Sequence, residues 1–98
     1  MNTEISETTE TSQTATRQVR LVNVDGLCLR TASLLCETAG YFSSDIRVAC
    51  CNRSACARSI IALIGLQAKT GMELELEAKG SDCWKAIAAV TKLIKYGF

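Results

Sequence analysis

The sequence predicts an α+β domain built in two layers, one β-sheet with helices over a single face. Three observations carry that expectation. Met72-Glu73-Leu74-Glu75-Leu76-Glu77-Ala78 alternates apolar and acidic side chains almost without a break, and a period of two with one oily and one charged face describes a strand buried on one side. Ala32, Leu35, Cys36 and Ala39 recur at i, i+3, i+4 and i+7, and Cys83, Ile87, Val90 and Ile94 likewise share one helical face. In chain order the elements read β-α-β-β-α-β-α, and 98 residues hold one domain with one modest core.

Residues 1–16 are mostly Thr, Ser, Glu and Gln, with one Ile. Such a segment buries too little apolar surface to offset its ordering entropy, so it is expected to be a flexible acidic tail, with the domain spanning residues 17–98. From Arg17, Val19, Leu21 and Asn23 alternate with Arg20 and Val22 in a first strand, and Asp25-Gly26 marks a turn. The first helix covers Arg30–Ala39, and Gly40 is placed to end it in the left-handed conformation that glycine adopts cheaply. Ser43-Ser44-Asp45 turns the chain into a second strand, in which Ile46, Val48 and Cys50 alternate with Arg47, Ala49 and Cys51. Asn52-Arg53 predicts a tight turn, and Ser54–Ala57 a short third strand. Ser59 precedes the apolar run Ile60–Ile64 and suits a helix start, where its oxygen can accept a free backbone N–H. Lys69-Thr70-Gly71 loops into the fourth strand. Gly80-Ser81-Asp82 leads into the last helix, whose Lys85, Lys92 and Lys95 lie outside and late, where they also suit its negative end. No proline imposes a break anywhere.

The net charge of +1 is unevenly spread. Glu4, Glu7 and Glu10 fall in the first sixteen residues, which hold no base, so the remainder carries 11 basic against 7 acidic residues. A solvated surface accounts for that balance, and without a basic run interleaved with aromatics no nucleic-acid partner is expected. No stretch approaches the roughly 18 apolar residues of a membrane span. The N-terminus lacks the basic start and apolar run of a signal peptide, so the expected location is the cytoplasm, with no membrane insertion. The six cysteines are then expected to be reduced rather than a disulfide framework. Cys36, Cys50 and Cys83 lie on faces predicted to be buried and are expected to be inert, with Cys51 and Cys56 more exposed. There is no histidine and no Cys-x-x-Cys pair, and Cys50-Cys51 followed by Cys56 is poor zinc spacing. Neither a metal nor a cofactor is expected. Trp84 reads as a core or half-buried packing residue, and Glu73, Glu75 and Glu77 as a wet strand face.

Two segments are similar to a known family. Gly26-Leu27-Cys28-Leu29-Arg30-Thr31-Ala32 resembles the active-site motif Gly-Leu-His-Thr-Arg-Pro-Ala of HPr, the small phosphocarrier of the bacterial phosphoenolpyruvate-dependent sugar phosphotransferase system. Arg53-Ser54-Ala55-Cys56-Ala57-Arg58-Ser59-Ile60 resembles the regulatory-serine segment of that family, Lys-Ser-Ala-Ser-Ala-Lys-Ser-Leu. The two segments sit at family spacing, so that no gap is needed to align both at once, and the resemblance runs from about Gln18 to Ile94. It implies the HPr fold, an open-faced sandwich with a four-stranded antiparallel sheet and three helices on one face, in agreement with the element order. Three departures stand out. Cys28 replaces the phosphorylated histidine, Leu29 replaces the next small residue, and Thr31 replaces the proline that would fix the first helical turn.

The resemblance makes Cys28 and Arg30 the counterparts of the phosphorylation site. A cysteine before a helix meets unpaired N–H groups and positive potential, which favour a thiolate or a phosphoryl group. Phosphocysteine carriage, thiol redox sensing, or a degenerate site whose chemistry has been lost are the three readings of Cys28. Ser59 corresponds to the serine that an ATP-dependent kinase phosphorylates in HPr, and Ile60, Ile61, Leu63 and Ile64 to a partner-docking surface. The alternative for Ser59 is a plain helix cap over a core-facing run. The catabolite-repression homologue of HPr likewise lacks the histidine, keeps the serine and regulates a transcription factor. The implied partners are the general phosphotransferase and sugar-specific components, or an HPr-type serine kinase and regulator, with the chain as a monomer. No nucleophile–base pair suggests turnover of a small molecule, so the chain is expected to serve enzymes as substrate or partner.

Overall fold

The computed structural model describes residues 13–98. Most of the expected tail, residues 1–12, lies outside them. One four-stranded antiparallel sheet in the order β1-β4-β2-β3 carries the helices on one face. Its strands are β1 (Thr14–Arg20), β2 (Asp45–Cys50), β3 (Arg53–Cys56) and β4 (Glu73–Lys79), and its helices α1 (Leu29–Ala39), α2 (Ile60–Gly65) and α3 (Cys83–Lys92). A π-helical turn, Leu93–Gly97, continues α3.

β4 is the central strand, pairing with β1 from Thr14↔Lys79 to Arg20↔Glu73 and with β2 from Asp45↔Lys79 to Ala49↔Glu75. Its alternation is obeyed. Leu74, Leu76 and Ala78 are fully buried, whereas Glu73 and Glu75 are exposed and Glu77 is half-buried. On the helical side Cys83, Ile87, Val90 and Ile94 all enter the core, beside Leu35 and Leu63.

Several boundaries differ from the sequence reading. β1 begins at Thr14 rather than Arg17, because Ala15 pairs with Ala78 in the core; a single alanine gives no periodic signal. The strand stops at Arg20. Leu21 still exchanges bonds with the 71–72 loop, its N–H to the Met72 carbonyl at 2.9 Å and its carbonyl from the Gly71 N–H at 2.8 Å, but Val22 and Asn23 turn away. Gly40 is right-handed (φ −68°, ψ −17°), not left-handed. The helix instead unwinds through shorter bonds, with the Gly40 N–H shared between the Cys36 and Glu37 carbonyls and the Tyr41 N–H on Thr38. The β2–β3 turn is centred on Cys51 and Asn52, one residue earlier than Asn52-Arg53. Both have positive φ (55° and 69°), the twist that joins antiparallel strands through two residues.

Asp82 precedes α3, yet its carboxylate makes no side-chain cap there. It accepts instead from the N–H and hydroxyl of both Ser43 and Ser44. These bonds hold its pKa below the ordinary carboxylate value, the Ser44 hydroxyl being the largest cause and the Ser43 N–H the next. Trp84, expected to be at least half-buried, is 58% exposed on the outer face of α3. Among the described residues no helix is long and apolar enough to cross a membrane.

Candidate functional site

The loop ahead of α1 is docked on a segment far away in sequence. Gly26 adopts φ +64°, and a Cβ there would stand 2.7 Å from the Ala68 carbonyl oxygen and 2.9 Å from the Lys69 Cα. Only glycine fits such an approach. The Leu27 N–H then donates to that Ala68 carbonyl at 3.0 Å, and the Thr70 hydroxyl reaches the carbonyls of Asn23 and Val24.

Cys28 follows as the N-cap of α1, half-buried and extended. Thr31, three residues on, forms a reciprocal box with it. Its Oγ1 accepts the Cys28 N–H at 2.8 Å, while its own backbone N–H faces the Cys28 sulfur. The Thr31 hydroxyl has one proton to give and three acceptors within reach, the Gly26 carbonyl at 3.0 Å, the Cys28 carbonyl at 3.3 Å and the Cys28 Sγ at 3.7 Å, of which the first is nearest. Thr31 therefore straps the glycine turn to the helix start and is itself fully buried. The Thr31 N–H is the largest cause of a Cys28 pKa below the ordinary thiol value; the Thr31 hydroxyl and the Arg30 N–H add to it, and partial burial and Asp25 oppose it. Arg30 is exposed in the first turn.

Ser59 caps α2. Its Oγ accepts the Ala62 N–H at 3.3 Å, and the residue is half-buried. Of the proposed docking residues, Ile61 is 84% and Ile64 37% exposed, with Ile60 half-buried. Leu63 is wholly buried, so it belongs to the core and not to a docking surface; in a helix this short the residue opposite Ile61 must face the sheet. The two candidate sites are not brought together. Ser59 lies beside the later turns of α1, where the Cys36 thiol donates to the Arg58 carbonyl at 3.3 Å, and Cys36 is about 12 Å of helix rise beyond Cys28.

Arg58 was expected only as a stand-in for the family lysine. Its guanidinium instead donates to the carbonyls of Ala39, Phe42 and Ser44, tying the end of α1 to the start of β2. Arg58, Thr31 and Asp82 were the residues that motif reading missed. The sole signal for any of them was Thr31 three residues after the N-cap, the spacing of a capping box. Cys50 and Cys83 are buried and Cys51 and Cys56 exposed, while Cys36, like Cys28, is half-buried rather than sealed in the core; none of the six cysteines is in a disulfide. Shallow clefts line the open face of the sheet, one of about 340 Å³ among Cys51, Arg53, Glu73 and Glu75, away from both Cys28 and Ser59.

The sequence model of the family described as the PTS HPr component phosphorylation site matches residues 15–96. The chain belongs to the HPr family. It is 32% identical over 82 residues to the phosphocarrier protein HPr of Treponema pallidum, covering 84% of this chain and 93% of that one. A crystal structure of HPr from Thermoanaerobacter tengcongensis superposes with a TM-score of 0.80 at 34% identity, covering 83% and 91%. Crh, the catabolite-repression HPr of Bacillus subtilis, superposes with a TM-score of 0.68 at 29% identity, covering 81% and 91%. The matched residues run from β1 through the π-helical turn that continues α3.

Proposed function

We propose that this HPr-family protein is a regulatory member of the phosphotransferase system, switched by phosphorylation of Ser59 from ATP by an HPr-type serine kinase. The observation that carries this reading is the state of Ser59. Its oxygen holds the Ala62 N–H as an acceptor, which leaves the hydroxyl proton available for transfer, and the exposed Ile61 and Ile64 lie two and five residues further along, on the same short helix. A phosphate on the N-cap would face unpaired N–H groups rather than carboxylates, so it adds charge where the helix favours it. The similarity to Crh supports the same direction. The chain acts as substrate and partner of enzymes and not as a turnover catalyst.

The test is the intact mass of the protein after incubation with the kinase and ATP. One phosphoryl group that is absent in Ser59→Ala and retained in Cys28→Ala supports the reading; an unmodified chain on folded, reduced protein removes it.

A second reading is favoured by the Cys28 environment, where the Thr31 N–H stabilises a thiolate. In it, the Cys28 thiolate attacks the phosphorus carried by the general phosphotransferase. An S–P bond forms, the donor's bond to phosphorus breaks, and the leaving group keeps the electron pair and takes up a proton. Incubation with phosphoenolpyruvate and the general phosphotransferase then gives one adduct, lost in Cys28→Ala and kept in Ser59→Ala.

A further inference from the structure

At the turn end of the β2–β3 hairpin, the Cys50 sulfur is flanked by two others. Cys50 Sγ lies 3.5 Å from Cys51 Sγ and 4.0 Å from Met72 Sδ. Cys50 ends β2, Cys51 opens the turn, and Met72 stands just before β4. The antiparallel pairing of β2 with β4 brings these chain positions together. The arrangement is held from the backbone. Cys51 occupies left-handed φ, uncommon for a residue with a Cβ, and this sets its thiol beside that of Cys50. The Lys69 N–H donates to Met72 Sδ at 3.4 Å, which orients the thioether and uses one of its two lone pairs. Neither thiol is in a disulfide.

We propose that Cys50, Cys51 and Met72 form a three-sulfur binding site for Cu(I). A metal–sulfur bond of about 2.3 Å in a planar, three-coordinate centre sets the sulfurs about 4.0 Å apart. The two separations that Cys50 Sγ makes lie within about half an ångström of that value, and the exposed Cys51 side chain would turn toward Met72 Sδ to close the third side on binding. Soft thiolate and thioether ligands select Cu(I). Zinc asks for four tetrahedral ligands, and among the described residues no group of three or more His, Cys, Asp or Glu side chains could hold a metal ion. A set completed by a thioether therefore suits the softer ion. Cys51 is exposed, Met72 half-buried and Cys50 buried, so the ion enters at Cys51 and is sheltered beneath it. As each copper–thiolate bond forms, the S–H bond breaks and the proton passes to solvent. The thioether binds through its lone pair and loses nothing. Copper remains Cu(I), so no oxidant or reductant is consumed. The spacing of the cysteines hid this cluster, since its third ligand lies 22 residues from Cys50 and is not a type that zinc motifs contain.

The experiment is an anaerobic titration of the reduced full-length protein with Cu(I) against bicinchoninate, followed by X-ray absorption at the copper edge. One Cu(I) per chain with three sulfur neighbours is expected. Cys51→Asn keeps a residue that tolerates left-handed backbone and should weaken binding more than about tenfold. Met72→Leu should lower the sulfur number from three to two, and Cys28→Ser should change neither reading. Failure to compete with bicinchoninate overturns the proposal. So does undiminished affinity in Cys51→Asn, which would place the copper on other thiols, and so does oxidation to a Cys50–Cys51 disulfide without copper uptake.

Discussion

At the scale of the residue, Cys28 and Thr31 act as a pair. Taken singly, neither residue is a strong helix-start signal. Together they close a capping box in which the Thr31 N–H meets the sulfur and the Thr31 hydroxyl strap reaches back to Gly26. Folding therefore favours the Cys28 thiolate, and its folded pKa lies below the unfolded one. The stability this contributes is complete above the unfolded thiol's pKa and is lost as pH falls through the folded pKa. Wild type should thus gain on Cys28→Ser as pH rises from about 7 to about 10. At the lower pH serine, the better N-cap, should match or exceed it. Urea denaturation of both proteins at the two pH values checks the sign. The rate of Cys28 alkylation against pH, followed by peptide mass, should have its midpoint below that of the unfolded chain. Thr31→Val should move that midpoint upward while leaving it below the unfolded one, because the Thr31 N–H survives. Equal midpoints in folded and unfolded protein would remove the box as a source of thiol activation. No motif could have revealed this compensation, because a threonine in place of a proline reads only as a departure.

At the scale of the element, α2 divides its apolar run between two roles. Ile60–Gly65 is too short to hold together alone, so its stability comes from the face it packs. Leu63 supplies that packing with no exposed surface, whereas Ile61 is almost wholly in water. Leu63→Ala should cost about 2–5 kcal/mol, and Ile61→Ala less than about 0.5 kcal/mol, measured by chemical denaturation. In the kinase assay the order should reverse: Ile61→Ala should slow modification of Ser59 without unfolding the protein. The sequence showed an apolar run but not its inward residue, because five consecutive apolar positions carry no periodicity. β4 is the opposite case. Its strict alternation fixed both its identity and its inner face, since every second residue was charged. Turn positions were less legible. The β2–β3 turn rests on Cys51 and Asn52 in left-handed conformation, and cysteine is not a residue that announces a turn. Gly40 misled for the converse reason: a glycine after a helix permits a left-handed end without requiring one.

At the scale of the whole molecule, the position of Cys28 depends on a contact between segments more than forty residues apart. The loop ahead of α1 meets the 68–72 loop through the Leu27–Ala68 bond, the Leu21 bonds to Gly71 and Met72, and the Thr70 hydroxyl. The seam passes under Gly26, where a Cβ would press on backbone atoms that cannot rotate aside. Gly26→Ala must therefore part the two loops or change the Gly26 backbone, and either response disturbs both the Leu27–Ala68 bond and the Gly26 carbonyl that holds Thr31. A destabilisation of about 1–3 kcal/mol is expected, together with a rise in the Cys28 titration midpoint. Gly65→Ala is the matched control. That glycine ends α2 with nothing within 4 Å of a Cβ, and alanine there should be neutral or stabilise by up to about 1 kcal/mol. Ser59 is held by α2 and not by this seam, so Gly26→Ala should still accept phosphate from the serine kinase at close to the wild-type rate while its thiol loses reactivity. A fall in both together would mean that the two sites respond as one unit; an unchanged thiol midpoint would mean that the capping box positions Cys28 without help from the remote loop.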